Sequence, residues 1–286
     1  MGATCVKMRS RAGLAVLLWL TLSTARADWR FDAETGALYD SNLSNSDRNA
    51  DVKDDWGWQS DLRAGNGFQL TRDLRLDLGA DLHALFWAQY SGLNHVDPGG
   101  SASLRYRFGL GHLAPWVMVE DHLAYFFFDE DERNGYGNRA SLRGGVGITE
   151  RLALEAAYAF DNVEAQERIW SSQGHSGALH LIFTVTSSLQ LAIGYSYRYG
   201  DVVAYALPPR PDAVELAGEI DSVPTFGQPA YNAYRFAGQT HAVSASLAYA
   251  LRHNLSLQLE YEFRDTTRDS LEYVNHLVEA KIALTY

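Results

Sequence analysis

Leu255, Leu257, Leu259, Tyr261 and Phe263 alternate with Ser256, Gln258, Glu260, Glu262 and Arg264. Successive side chains of a strand point to opposite faces, so this stretch presents one apolar face and one polar face. Val243, Ala245, Leu247, Tyr249 and Leu251 repeat the alternation, as do Leu189, Leu191, Ile193, Tyr195, Tyr197 and Tyr199. Ala102, Leu104, Tyr106, Phe108 and Leu110 interleave with Ser103, Arg105 and Arg107. About twelve such segments follow one another: 29–40, 56–70, 74–89, 100–110, 115–128, 136–149, 152–162, 174–186, 189–200, 239–251, 255–265 and 273–286. Each approaches or exceeds the about 9–11 residues with which a tilted strand crosses a bilayer. Strands of soluble sheets average only about 5–6 residues.

The connections alternate in length. Very short turns lie at Thr71-Arg72-Asp73, Gly111 to Ala114, Glu150-Arg151, Ser187-Ser188 and Arg252-His253-Asn254. The others, 41–55, 90–99, 129–135, 163–173, 201–238 and 266–272, are longer and polar. Short turns on one side and long loops on the other are the habit of transmembrane barrels. The expected fold is therefore all-β: a transmembrane antiparallel up-and-down β-barrel of about twelve strands, with short periplasmic turns and long extracellular loops. An even strand count puts both ends on the periplasmic side.

The amino-terminal segment changes the compartment. Lys7, Arg9 and Arg11 precede the apolar run Ala12 to Leu22, which is too short to span a bilayer, and Ala25-Arg26-Ala27 fits a cleavage site. Residues 1–27 read as a cleaved signal peptide and 28–286 as the barrel domain. The only cysteine, Cys5, falls in the signal, so no disulfide is expected in the mature chain. The signal takes four of the 24 basic side chains and none of the 35 acidic ones, leaving a net charge of −15. That charge argues against a nucleic-acid partner.

Aromatic residues sharpen the membrane reading. Trp56, Trp58, Trp87, Tyr90, Tyr125 to Phe128, Tyr197, Tyr199 and Phe263 fall at the outer ends of their segments, and Trp29, Trp116 and Tyr286 at the inner ends. Amphipathic rings favour the headgroup level. The last strand places Val278, Ile282, Leu284 and Tyr286 on one face and ends on an aromatic residue. This resembles the carboxy-terminal signal read by the barrel-assembly machinery, which the resemblance implies as a partner during biogenesis. The opening strand, Gly36-Ala37-Leu38-Tyr39-Asp40-Ser41-Asn42-Leu43, is similar to the start of several outer-membrane barrels. These include uncharacterised porins and the barrel of surface lipoprotein assembly modifiers. No helical-repeat segment of the kind that precedes the barrel in assembly modifiers is read here, and Asp and Asn at a strand end also suit a turn.

Outer-membrane phospholipases and lipid A deacylases are similar in using His and Ser two positions apart on one strand. The nearest phrase here, Gly174-His175-Ser176-Gly177, has them adjacent, on opposite faces of a strand; no enzyme and no cofactor are expected. The acidic clusters Asp47, Asp51, Asp54, Asp55 and Asp129 to Glu132 lack the spacing of a cation loop and read as solvated external loops, in contact with lipid and lipopolysaccharide. No metal site is expected.

The inward faces remain. Alternation assigns them Asp32, Glu34, Asp61, Arg63, Arg75, Asp77, Asp81, His83, Arg105, Arg107, Arg143, Glu155, His180, Arg198, Glu260, Glu262, Arg264 and Lys281. Such groups are costly in hydrocarbon and cheap in a wet lumen. They either pair and plug the interior or line a water-filled path. Segment 201–238 holds five of the seven prolines, and Tyr231, Tyr234, Arg235 and Phe236 suit a cap or constriction; a short hairpin beyond the membrane also fits. The expectation is a narrow channel for small polar or charged solutes, with a non-conducting barrel for surface assembly, export or attachment as the alternative.

Overall fold

The computed structural model describes residues 27–111, 113–227 and 229–286; the expected signal segment up to Arg26 lies outside the described residues. Thirteen strands run antiparallel: β1 (Ala27–Asp40), β2 (Asp55–Gln69), β3 (Leu74–Trp87), β4 (His95–Arg107), β5 (Trp116–Phe128), β6 (Gly135–Gly147), β7 (Leu152–Ala165), β8 (Ser172–Thr184), β9 (Leu189–Ala206), β10 (Glu219–Val223), β11 (Tyr231–Arg252), β12 (Leu255–Arg268) and β13 (Leu271–Thr285). Twelve form a closed barrel, in which β13 pairs with β1 and β11 bridges β9 to β12. The thirteenth, β10, pairs with the outer end of β11.

Register carries the alternation around the ring. Leu62, Leu82, Leu104, Val119, Leu142, Tyr158, Leu179, Tyr195, Val243, Tyr261 and Ile282 all lie on the outside, and all are exposed. A belt of exposed leucine, valine and aromatic side chains on every wall is the surface a bilayer covers, with each strand's backbone bonded to its neighbours. No described helix is long and apolar enough to cross a membrane.

The seam between first and last strands is tightly fixed. Phe31 and Tyr286 exchange backbone hydrogen bonds of 2.8 Å at its inner end. At the outer end Asn275 Nδ2 donates to Asp40 Oδ1 (3.1 Å), the Asn42 carbonyl (2.8 Å) and Asn45 Oδ1 (3.2 Å). Asn42 Nδ2 donates to the carbonyls of Ser46 and Val274. The Asp-Ser-Asn phrase is thus a polar lock on the barrel seam. Between these ends, Gly36 faces Lys281, and a Cβ there would run into the Ala280 carbonyl.

Several expectations are corrected. β4 begins at His95, not near residue 100, although Pro98-Gly99-Gly100 reads as a break; Pro98 faces outward, opposite Leu82. The last external loop, expected over 266–272, shrinks to a hairpin turn at Asp269-Ser270, with Asp269 at φ 49°. Trp87 and Trp116 face inward: Trp87 is buried in the outer mouth, and Trp116 lies beneath Arg105. The first-loop acids are not uniformly solvated. Asp55 is 1% exposed and accepts from the backbone N–H of Gln89 (2.9 Å) and Tyr90 (3.1 Å), which ties two loops together.

Candidate functional site: a charged lumen beneath a packed cap

Segment 201–238 is structured. β9 and β11 continue past the ring as a ribbon, joined by the short helix α1 (Pro211–Leu216) and by β10. Both faces of the ribbon are buried. Tyr205, Tyr231 and Ala233 pack with Leu38, Trp87, Leu93, Trp170 and Phe226. Tyr234 and Phe236 pack with Ala213 of α1 and with Leu271 and Tyr273 of β13. Leu38, Trp87, Leu271 and Tyr273 have the inward register of their strands, so the ribbon sits in the outer mouth rather than above it. The space left between the ribbon, the first loop and α1 is about 10 Å³, room for one water at most.

Polar ties hold this cap from three sides. Arg210, 3% exposed, donates through Nη1 and Nη2 to both oxygens of Asp47 (2.7 and 2.9 Å) and through Nη2 to Asp212 (2.8 Å). Burial pulls the Arg210 guanidinium down, but its bonds to Asp212 and Asp47 outweigh burial and hold it above its ordinary range. The hydrogen bond from Arg210 in turn holds the Asp212 carboxyl down at about 2. Arg133, in the β5–β6 connection, stacks 3.6 Å over Trp170 and donates to Glu130 (2.8 Å) and the Tyr205 hydroxyl (3.0 Å). Arg235 donates to the Ser171 carbonyl at 2.6 Å. The Tyr205 N–H donates to the Ser44 carbonyl, and Asn45 Nδ2 to the Val203 carbonyl.

Below the cap, register turns Asp61, Arg63, Arg75, Asp77, Asp81, His83, Arg105, Arg107, Arg143, Glu155, His180, Arg198, Glu260, Glu262, Arg264 and Lys281 inward, on the face opposite the apolar belt. Many are paired along the wall. Arg75 binds Asp77 (2.7 Å), Arg198 binds Asp161 (2.9 Å), Lys281 binds Glu279 (2.6 Å) and Arg264 binds Glu262. Arg143 reaches Glu120 at 3.8 Å. Asp61 accepts from His83 Nδ1 at 2.7 Å, and Asp81 from His122 Nε2 at 2.9 Å. Gly99 makes room for that second pair, since a Cβ there would come within 2.8 Å of both partners. His122, Glu120, Asp161 and Glu279 complete these pairs and escaped the sequence reading, although the same alternation marks them as inward. His95 and Asp97 escaped because their stretch reads as loop.

At the inner end a vestibule of about 510 Å³ is bordered by Arg30, Arg72, Arg75, Arg105 and Arg107 with Asp73 and Asp77. Arg105 lies 4.3 Å over the Trp116 ring. His175 and Ser176 stand on opposite faces: His175 faces outward with the Tyr158 hydroxyl on its Nδ1 at 2.6 Å, and Ser176 pairs inward with Arg198.

The barrel is similar in fold to solved outer-membrane proteins. An outer-membrane channel from Pseudomonas putida F1 superposes with a TM-score of 0.60 at 10% identity, covering 90% of this chain and 95% of that one. A deletion mutant of the TodX monoaromatic hydrocarbon channel follows at 0.49, with 9% identity over 92% and 91% of the two chains. The NanC porin follows at 0.47, with 11% identity over 89% and 98%. No family model matches the sequence, and no curated protein matches it. The likeness is one of fold.

Proposed function

We propose that this chain is a narrow outer-membrane channel for small polar or charged solutes, with the β9–β11 ribbon as its outer gate. The observation that carries the reading is the inner vestibule of about 510 Å³, lined by five arginines and two aspartates. Groups of this kind select ions in wet pores, and a twelve-strand barrel lies between side-chain-filled eight-strand barrels and open 16–18-strand porins. The channel architecture of the Pseudomonas putida protein supports the same reading.

On this reading the barrel sits in the outer membrane of a Gram-negative cell. It is exported behind the cleaved segment 1–27, inserted by the barrel-assembly machinery and surrounded by lipid and lipopolysaccharide. Its wall serves passage, and no catalytic step is assigned to it.

The filled outer mouth favours one competing reading, a non-conducting barrel that serves surface assembly, export or attachment. Planar-bilayer recording of the refolded barrel separates the two. The channel reading expects discrete openings in the native barrel, more frequent once the cap is loosened. Silence from both the native barrel and a cap-loosened variant, with folding verified by heat-modifiable gel migration, overturns it.

A further inference from the structure

In the outer part of the lumen wall His83 of β3 stands directly opposite Asp97 of β4, with His95 two residues away on the same inward face. One ligand atom from each of the three lies within 4.8 Å of the other two. Asp97 is 6% exposed, and its Oδ1 is buried with no hydrogen-bond partner among the described residues. A carboxylate oxygen left in that state is expensive.

The imidazoles are oriented as ligands. His95 Nδ1 lies 3.0 Å from the Leu93 carbonyl, which only accepts, so Nδ1 carries the proton. Nε2 is then the lone-pair nitrogen, and it faces Asp97 Oδ2 at 3.5 Å. A lone pair and a carboxylate oxygen repel unless a proton or a metal cation lies between them. His83 repeats the arrangement: its Nδ1 donates to Asp61 at 2.7 Å, which leaves Nε2 as the coordinating atom. A carboxylate or carbonyl behind each ligating histidine fixes its tautomer and raises its basicity.

We infer that His83, His95 and Asp97 form a binding site for a divalent transition-metal ion of the zinc class. Two imidazoles and one carboxylate suit zinc and its neighbours rather than calcium or magnesium, which take all-oxygen sets. Three protein ligands leave a coordination position open to water or a passing solute. The site joins β3 to β4 at the base of the cap, since Leu93 belongs to the apolar cluster of the mouth. The inference holds whether or not the barrel conducts.

Zinc titration of the refolded full-length barrel in detergent, followed by calorimetry, tests it. The expected result is one saturable zinc per barrel that excess magnesium does not displace. His95→Gln and Asp97→Asn abolish it, Asp61→Asn weakens it about 10–100-fold, and His122→Gln leaves it unchanged. X-ray absorption at the zinc edge of the native barrel, which needs no variant, is expected to show two imidazoles. No saturable binding, binding intact in both ligand variants, or an all-oxygen shell overturns the site; the first outcome assigns the Nε2–carboxylate contact to a proton.

Discussion

Arg133 donates from Nη2 to the hydroxyl of Thr225 at 3.1 Å, joining the β5–β6 connection to a residue 92 positions further along the chain. Thr225 in turn donates to Glu130, which also accepts from Arg133 Nε. The closed triangle lies against Trp170 and Tyr205, so one guanidinium gathers three connections into the cap. Removing it leaves Glu130 and the Tyr205 hydroxyl short of partners in a dry setting, a loss on the order of 3 kcal/mol of cap docking. Arg133→Ala is expected to raise the open probability in bilayer recordings and to make the β9–β11 connection sensitive to protease. Arg133→Lys keeps charge but neither the planar fork nor the stack, so its openings should fall between native and alanine.

The tie at Arg210 gives a pH expectation. Asp212 is held down at about 2 from an ordinary 3.8, first by its hydrogen bond from Arg210. A depressed carboxylate contributes stability that is fully present above its ordinary value and is lost as pH falls through the depressed one. The Arg210–Asp212 arm of the cap should therefore be insensitive to pH across the neutral range and weaken only between 3.8 and about 2. Hydrogen exchange of the 210–217 amides, followed against pH, checks this. Asp212→Asn should remove the acid-dependent component and leave the Asp47 arm in place.

How much of this was legible follows from period and register. Alternation needs no partner to be read, so Leu255 to Arg264 announces both its faces. The Pro98-Gly99-Gly100 run misleads because proline, which has no backbone N–H, breaks a strand only where the ladder needs that donor; here the β4–β5 bridges skip Pro98. That error concealed His95 and Asp97. Trp87 and Trp116 misled differently, since position along a strand gives height in the membrane but not face. Cap residues Tyr231, Tyr234 and Phe236 were visible as apolar residues in a loop, whereas their partners Leu38, Trp170 and Leu271 come from distant hairpins that only closure brings together.

Three hairpins share an outward clip that sequence spacing alone does not reveal. The Tyr158 hydroxyl meets His175 Nδ1 at 2.6 Å, Tyr195 meets His241 at 2.7 Å, and Tyr261 meets His276 at 2.9 Å. Each histidine also packs on the aromatic residue two positions after the tyrosine: Phe160, Tyr197 or Phe263. A phenol facing hydrocarbon needs an internal partner, and the diagonal histidine supplies it. Tyr→Phe at any one site should lower unfolding free energy by about 0.5–1.5 kcal/mol. The three losses should nearly add, because the sites share no partner. Denaturant unfolding of the barrel in lipid vesicles, singly and in combination, measures both claims.

At the inner vestibule the arginines are not equivalent. Arg30 is paired with Asp32 at 2.9 Å, Arg75 with Asp77 at 2.7 Å, and Arg105 is stacked on Trp116. Arg72 and Arg107 are left to set the field at the entrance. Positive charge lining the mouth of a channel concentrates anions and repels cations. The native channel should therefore prefer anions, and Arg72→Glu with Arg107→Glu should invert that preference without loosening the wall. The reversal potential under a salt gradient reads the sign directly. An unchanged sign in the folded double variant would locate selectivity higher in the lumen, among the paired groups around His83 and Lys281.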